Sequence, residues 1–249
     1  SSVNQTVLKQ NKQEVLVFNV DGAVQLQNKF VGVEWGWVKI GSTAPGYLTL
    51  GTPWVYASTN ISNCNGGTFG GVEFSSKPDA ICGSFQRNDD NIEVEDSYVI
   101  AYLWKGSFKS KIGSVDLTTK SKDCVNVERA ILGRLDPQKN PVSGDGKLIA
   151  SCDTAFKTDK GKWMQVEVPF EYKDLESMPD SLNVIISAGD YWTRGNLQEN
   201  TTLLVDDVRF VYYSRLASIS FNEIPFEELK ENVYTYEVKA PLNFTKEDV

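Results

Sequence analysis

Short runs in which apolar and polar residues alternate dominate this sequence, and they limit the fold more than any other feature. A period of two places successive side chains on opposite faces of a β-strand. Clusters of Gly, Pro, Asn and Asp separate the runs, and helical periodicity is nearly absent. The pattern predicts an all-β chain built as a sandwich. The runs are 15–20, 80–86, 97–104, 163–172, 181–188, 203–213, 216–221 and 234–238.

Two of these runs indicate which faces of their strands are buried and which are exposed to solvent. Residues 163–172 alternate apolar side chains with Gln and Glu, which predicts a strand with one wet face. Residues 98–104 are apolar on both faces, which predicts a central strand covered on each side. Residues 125–133 fit either a short helix or a strand.

Residues 179–213 form two long apolar runs joined by an aromatic, polar loop, typical of the closing half of a sandwich with a site at its edge. In a regular strand over 203–213, either Asp206 or Asp207 faces the core. A buried carboxylate needs backbone donors, a cation or a bound metal ion. This strand is therefore the first indication of a charged site.

The same stretch resembles a known family. SLNVIISAGDYW at 181–192 and LLVDDVRFVYY at 203–213 are similar to the last strands of jelly-roll carbohydrate-binding modules, and in particular to the family named "putative carbohydrate metabolism domain" of surface lipoproteins from glycan-degrading gut anaerobes. A second block, GGTFGGVEFSSKPDAICGSFQR at 66–87, matches a Gly-rich turn, a Lys-Pro pair and a strand. The resemblance spans roughly 35–213. It implies a jelly-roll sandwich of the galactose-binding type that binds sugar outside the cytoplasm, at a bacterial outer-membrane surface or in the periplasm.

The resemblance also implies calcium. Jelly-roll sugar-binding modules often carry a structural calcium ion held by an acid of the last strand, in a sequence similar to VDDV. Asp206 is the matching position here. Hard oxygen ligands suit a chain without histidine. We therefore predict Asp206 as a calcium ligand.

The absence of histidine limits the possible chemistry. Without it the chain has no Ser-His-Asp or Cys-His mechanism and no His-ligated metal centre. Carboxylates, Lys, Tyr or a hard cation must do any chemistry. A glycoside hydrolase needs two acids about 5 to 9 Å apart, and the sequence does not place any two of its acids together. A hydrolase on the same sandwich therefore remains an alternative to a binding protein, as does a protein-binding surface module.

Charge and hydropathy limit the partners. The 33 acidic residues outnumber the 25 basic ones, for a net charge of -8, so nucleic acid is an unsuitable partner. No apolar run approaches the roughly 20 residues of a membrane helix. The polar start SSVNQT would suit a mature protein after removal of a leader or a lipid-anchored cysteine.

Four cysteines occur without CxxC spacing, which argues against a zinc site. An oxidising compartment would favour the pairs Cys64 with Cys82 and Cys124 with Cys152. Buried reduced thiols are an equal alternative.

Aromatic and polar residues in turns predict a sugar site. Flat rings stack on the CH faces of sugars while Asn, Asp and Arg bond the hydroxyl groups. Trp35 and Trp37 share a strand face and are expected in the core. The Gly-rich stretch 63–71 lacks a phosphate-loop Lys and predicts a bulged turn. The predicted ligand-binding residues are Trp54, Asp190, Tyr191, Trp192, Arg194 and Asn196.

A domain boundary is predicted near Ser214. Residues 1–214 would form the sandwich, and 215–249 a C-terminal β extension or a truncated second β-module. Together these observations predict an extracytoplasmic protein that binds an oligo- or polysaccharide for glycan capture.

Overall fold

A computed structural model describes residues 17–35, 37–56, 65–110, 127–135, 142–193, 197–213, 220–221 and 224–225. The chain is an all-β sandwich, as predicted. It divides into two compact units, 1–211 and 212–249. No helix in the described ranges is long and apolar enough to cross a membrane.

Two antiparallel sheets form the sandwich, with strands numbered in chain order. The first sheet contains, in order across it, β1 (Val17–Val20), β2 (Ala23–Gln27), β17 (Thr202–Val211), β9 (Ala80–Gln86) and β14 (Met164–Pro169). The second contains β15 (Glu171–Tyr172), β13 (Lys147–Phe156), β10 (Ser97–Lys105), β16 (Ser181–Ser187) and β5 (Tyr47–Thr49), with β8 (Val72–Glu73) also beside β16.

Short elements flank the two sheets. In the first unit they are the pairs β3 (Lys29–Trp35) with β4 (Val38–Ala44), β6 (Thr52–Tyr56) with β7 (Asn65–Phe69), and β11 (Phe108–Ser110) with β12 (Val142–Gly144), and the helix α1 (Val127–Ile131). For residues 125–133 the sequence allowed a short helix or a strand, and the structure has a helix there, α1. In the second unit, β18 (Ser220–Phe221) pairs with β19 (Ile224–Pro225).

The order of the long strands is that of a jelly roll. Eight strands form the groups β2-β17-β9-β14 in the first sheet and β5-β16-β10-β13 in the second. The chain passes back and forth between the sheets, so most strands pair with partners that are distant in sequence. Two interlocked Greek keys give this order.

The main core lies between the sheets and follows the alternation in the sequence. Alternate residues of β10, such as Leu103, face inward, while Tyr102 and its neighbours on the opposite face are also buried. The prediction of a central strand covered on both sides is confirmed. The wet face of 163–172 is confirmed too, since Gln165 and Glu167 are exposed. That run forms two strands, because the chain changes sheets at Phe170.

A β-bulge in β17 overturns the prediction of an acid in the core. Asp206 pairs with Ser84 and Arg209 with Cys82, so two residues of β17 oppose one of β9 between these pairs. The extra residue shifts the alternation, so side chains beyond the bulge lie on the opposite face from the one that a regular strand predicts. Asp207 takes a φ of 49° at the bulge, and both carboxylates are exposed.

Cys82 and Cys152 are buried free thiols, so the reduced alternative is correct for these two. Burial raises the pKa of Cys152 to about 12, which keeps its thiol protonated and unreactive. Cys64 and Cys124 lie outside the described residues.

The placement of Trp37 in the core is wrong. Its side chain is 96% exposed, because β3 and β4 form a separate two-stranded sheet and Trp37 lies in the turn that joins them. The side chain of Trp35 lies outside the description.

Candidate functional site

A cavity of about 130 Å³ lies on the outer face of the second sheet. The described residues leave part of its boundary open. Strand β10 supplies the floor, and the ends of β7, β11 and the helix α1 supply the walls. The lining residues are Thr68, Gly70, Tyr102, Trp104, Ser107, Phe108, Glu128 and Ile131.

The Gly-rich stretch forms one wall of this cavity. It was predicted as a bulged turn, but residues 65–69 form strand β7, paired with β6. The chain then passes close over the sheet, where a Cβ on Gly71 would lie 2.1 Å from the carbonyl oxygen of Leu182 and 2.8 Å from the Trp104 ring. Glycine is therefore required where the backbone crosses Trp104.

Glu128 is the only carboxylate lining the described cavity, and its side chain is buried. The hydroxyl of Tyr191 donates to its Oε1 at 2.7 Å, and that of Tyr102 donates to its Oε2 at 3.1 Å. Thr68 also donates to Oε2. Burial raises the pKa of Glu128, while these three hydrogen bonds favour its charged form and oppose the shift.

Asn183 sets the direction of these hydrogen bonds. Its Nδ2 donates to Thr68 Oγ1 and to the Tyr102 hydroxyl, each at 3.0 Å. Its Oδ1 accepts from Thr49 Oγ1 at 3.0 Å and from the Gly51 amide at 2.9 Å. Because both hydroxyls accept from Asn183, their own protons are directed at Glu128.

Aromatic rings surround this hydrogen-bond network. The rings of Tyr102 and Trp104 lie 5.3 Å apart with an angle of 31° between their planes. The edge contacts of Tyr191 with Tyr47 and Trp192 have centroid distances of 5.4 and 4.9 Å. The site thus combines flat apolar surface with fixed polar groups.

Of the predicted ligand-binding residues, Tyr191 belongs to this site, but in a different role. Its ring is buried and offers no open stacking face, and its hydroxyl bonds Glu128. Trp192 is half-buried, with the Arg134 guanidinium 4.4 Å from its ring centroid and its Nε1 donating to Asp153 at 3.2 Å. One face of Trp192 is therefore occupied.

Of the other predicted residues, Asp190 has a described side chain, and it stabilises a turn without lining the cavity. Asp190 Oδ1 accepts from the amides of Trp192 at 2.8 Å and Thr193 at 3.0 Å, which stabilises the turn. The backbone of Trp54 lies in β6, opposite Gly67. The side chain of Trp54 and the residues Arg194 and Asn196 lie outside the described part of the chain. Their role in ligand binding stays a prediction.

Asp206 also stays a prediction as a calcium ligand. Its exposed side chain accepts from the Asp207 amide at 2.8 Å. Within the described ranges, no three Asp, Glu or Cys side chains gather as a metal site would require.

Sequence reasoning missed Glu128 and Asn183. Glu128 is one acid among many and lies in a weakly patterned segment. Asn183 did carry a signal, because it interrupts an otherwise apolar inner strand, where a buried amide needs partners.

No protein-family model and no curated protein matches the sequence. Among solved structures, the chain is similar to a "putative glycoside hydrolase" from Bacteroides thetaiotaomicron, with 13% identity and a TM-score of 0.48 over 85% of this chain and 62% of that one. It is also similar to a second "putative glycoside hydrolase" from Bacteroides vulgatus, with 16% identity and a TM-score of 0.38 over 76% and 72%.

The chain thus spans less than two thirds of the first of these structures. At such identities and TM-scores, neither a site nor an activity transfers to this chain. Membership of the carbohydrate metabolism domain family therefore stays a prediction.

Proposed function

We propose that this chain binds carbohydrate through the cavity beside Glu128. The observation that carries the proposal is the junction of aromatic walls, Trp104 and Phe108, with the buried polar network of Glu128 and Asn183. A sugar ring has apolar CH faces and a rim of hydroxyl groups, so it needs both kinds of surface. In this proposal the protein acts outside the cytoplasm, at a bacterial surface or in the periplasm, and captures glycans.

The size of the cavity limits recognition to part of one sugar residue. Sites for drug-sized ligands have volumes of roughly 300–1,000 Å³, whereas this one has about 130 Å³. An apolar protein cavity of about 150 Å³ accepts benzene. A hexose is larger than benzene, so the cavity suits one edge of a terminal sugar residue, and the rest of the glycan lies outside it.

A glycoside hydrolase is the second candidate, and the burial of Glu128 favours it. Burial raises the pKa of this carboxyl group, as the proton donor of a hydrolase requires. A hydrolase needs a second carboxylate across the bond. Among the described residues that line the cavity, Glu128 is the only one with a carboxylate. Binding without cleavage is therefore the better supported function.

The test combines a glycan array with calorimetry on Phe108→Ala, which removes a half-buried wall. Trp163→Ala is the control, because it removes a half-exposed aromatic that does not line the cavity. We expect a glycan that binds the parent protein to bind Phe108→Ala at least tenfold more weakly and Trp163→Ala unchanged. Circular dichroism checks that both variants fold.

Equal affinity of Phe108→Ala and the parent protein would overturn the cavity as the site. Absence of binding across plant, host and microbial glycans, with a tight protein partner recovered, would favour a protein-binding module. Release of reducing ends that Glu128→Gln abolishes would favour the hydrolase.

A further inference from the structure

We propose that the cavity selects a sugar residue with a free, protonated amino group, such as a 2-amino-2-deoxyhexose at the end of a glycan. This inference rests on the proposed function and names the class of ligand for the same site. It follows from the charge on Glu128, the direction of its hydrogen bonds and the chemistry of the walls.

The Glu128 carboxylate is bonded by neutral groups. Its hydrogen-bond donors are the hydroxyl groups of Thr68, Tyr102 and Tyr191, which are dipoles and carry no charge. A carboxylate has about four acceptor positions, so three donors leave one available. Arg129, the neighbouring residue, contributes favourable charge, while its guanidinium group donates to the carbonyl oxygen of Trp192 at 3.1 Å.

The direction of these hydrogen bonds favours the charged form of Glu128. Because Asn183 donates to both Thr68 and Tyr102, those hydroxyls present protons to Glu128 and not lone pairs. A proton on Oε2 would therefore face two donor hydrogens. The three hydroxyl donors favour the charged form of Glu128 and oppose the effect of burial. A cation in contact with the carboxylate would stabilise that form further.

The walls of the cavity beside Glu128 are aromatic. Tyr102, Trp104 and Phe108 surround the space next to the carboxylate. Aromatic faces attract ammonium groups through their quadrupoles as well as packing on sugar CH groups. A neutral sugar gains only the second interaction, whereas an amino sugar gains both and also pairs with Glu128. The net charge of -8 also favours cationic ligands.

The experiment is calorimetry with three oligosaccharides of equal length and linkage, made of glucosamine, N-acetylglucosamine or glucose. At pH 6.5, where a substantial fraction of the amines is protonated, we expect the glucosamine oligomer to bind at least tenfold more tightly than the other two. Glu128→Gln keeps the shape and removes the charge, and we expect it to reduce the preference to within twofold.

Glu167→Gln is the matched control. It removes the same charge from an exposed position of β14, in the opposite sheet. We expect it to keep the full preference. If Glu128→Gln does not fold, the pH dependence of the parent protein decides, because the preference must fall as pH rises through the pKa of the amine.

The outcomes separate the two proposals. Equal or tighter binding of an acetylated or neutral oligomer overturns the amine selectivity and leaves carbohydrate binding intact. A preference that survives in Glu128→Gln overturns the assignment to this carboxylate. Absence of binding by these and all other glycans overturns both proposals.

Discussion

The hydroxyl of Tyr191 lies 2.7 Å from Oε1 of Glu128, although the two residues are 63 positions apart in the chain. Tyr191 follows the strand β16, and Glu128 lies in the helix α1. Their contact connects the helix with the loop after β16, close to Trp192. Alteration of this contact should therefore affect the cavity and the stability of the sandwich together.

Removal of that hydroxyl in Tyr191→Phe should cost about 1 to 2 kcal/mol of unfolding free energy, because Glu128 loses a hydrogen bond while it stays buried. The pKa of Glu128 should rise further, since this bond favours the charged form. Urea denaturation and carboxyl NMR titration would measure the two effects. Tyr212→Phe, at an exposed ring, is the control and should change neither quantity. An unchanged pKa in Tyr191→Phe would contradict the prediction.

Asn183→Ala should destabilise the protein by about 2 to 3 kcal/mol, because buried partners of both its amide nitrogen and its oxygen lose their hydrogen bonds. Urea denaturation measures the loss. Gln165→Ala, on the exposed face of β14, should stay within about 0.5 kcal/mol of the parent. Similar losses in both variants would show that the network adds no stability.

The charge on Glu128 should make stability depend on pH. Burial raises its pKa above the ordinary 4.5, so the folded protein holds this proton more tightly than the unfolded chain does. The contribution is complete below pH 4.5 and is lost as pH rises from there to the pKa of the folded state. The stability of Glu128→Gln relative to the parent should therefore increase across that interval and then level off. Urea denaturation at several pH values measures this difference, and a decrease would contradict the prediction.

Arg87 should be among the most sensitive positions. It is fully buried, its guanidinium pairs with Asp89 at 2.7 Å, and it also donates to the carbonyl oxygen of Glu95. Arg87→Met leaves the carboxylate of Asp89 without its cation and should cost about 3 to 5 kcal/mol of unfolding free energy. Arg209→Met removes an exposed partner of Asp207 and should cost less than about 1 kcal/mol. Thermal and urea denaturation compare the two, and equal losses would contradict the argument.

The predicted calcium ion at Asp206 has a direct test. If the ion is bound there, chelation should lower the Tm of the parent protein and leave that of Asp206→Asn unchanged. Differential scanning calorimetry with calcium and with a chelator makes the comparison. An identical Tm for the parent protein under both conditions would end the prediction.

The strands were predictable because their signal is local. A strand over 98–104 with apolar residues on both faces must be covered on both sides, whatever covers it. The same reasoning failed at Asp206, because a bulge is a property of the pairing of β17 with β9 and not of β17 alone. It also failed at Trp37, because two strands with matching patterns can pair with each other outside the main sheets.

The amino-acid sequence alone determined the all-β class, the long strands and the absence of histidine chemistry, since each depends on neighbouring residues or on composition. The tertiary structure alone decided that Thr68, Tyr102, Glu128, Asn183 and Tyr191 form one buried network. These residues come from separate elements, and their hydrogen bonds span 26 to 115 positions of the chain. Such contacts form only when the strand order of the sandwich brings distant segments together, and no local pattern in the sequence records that order.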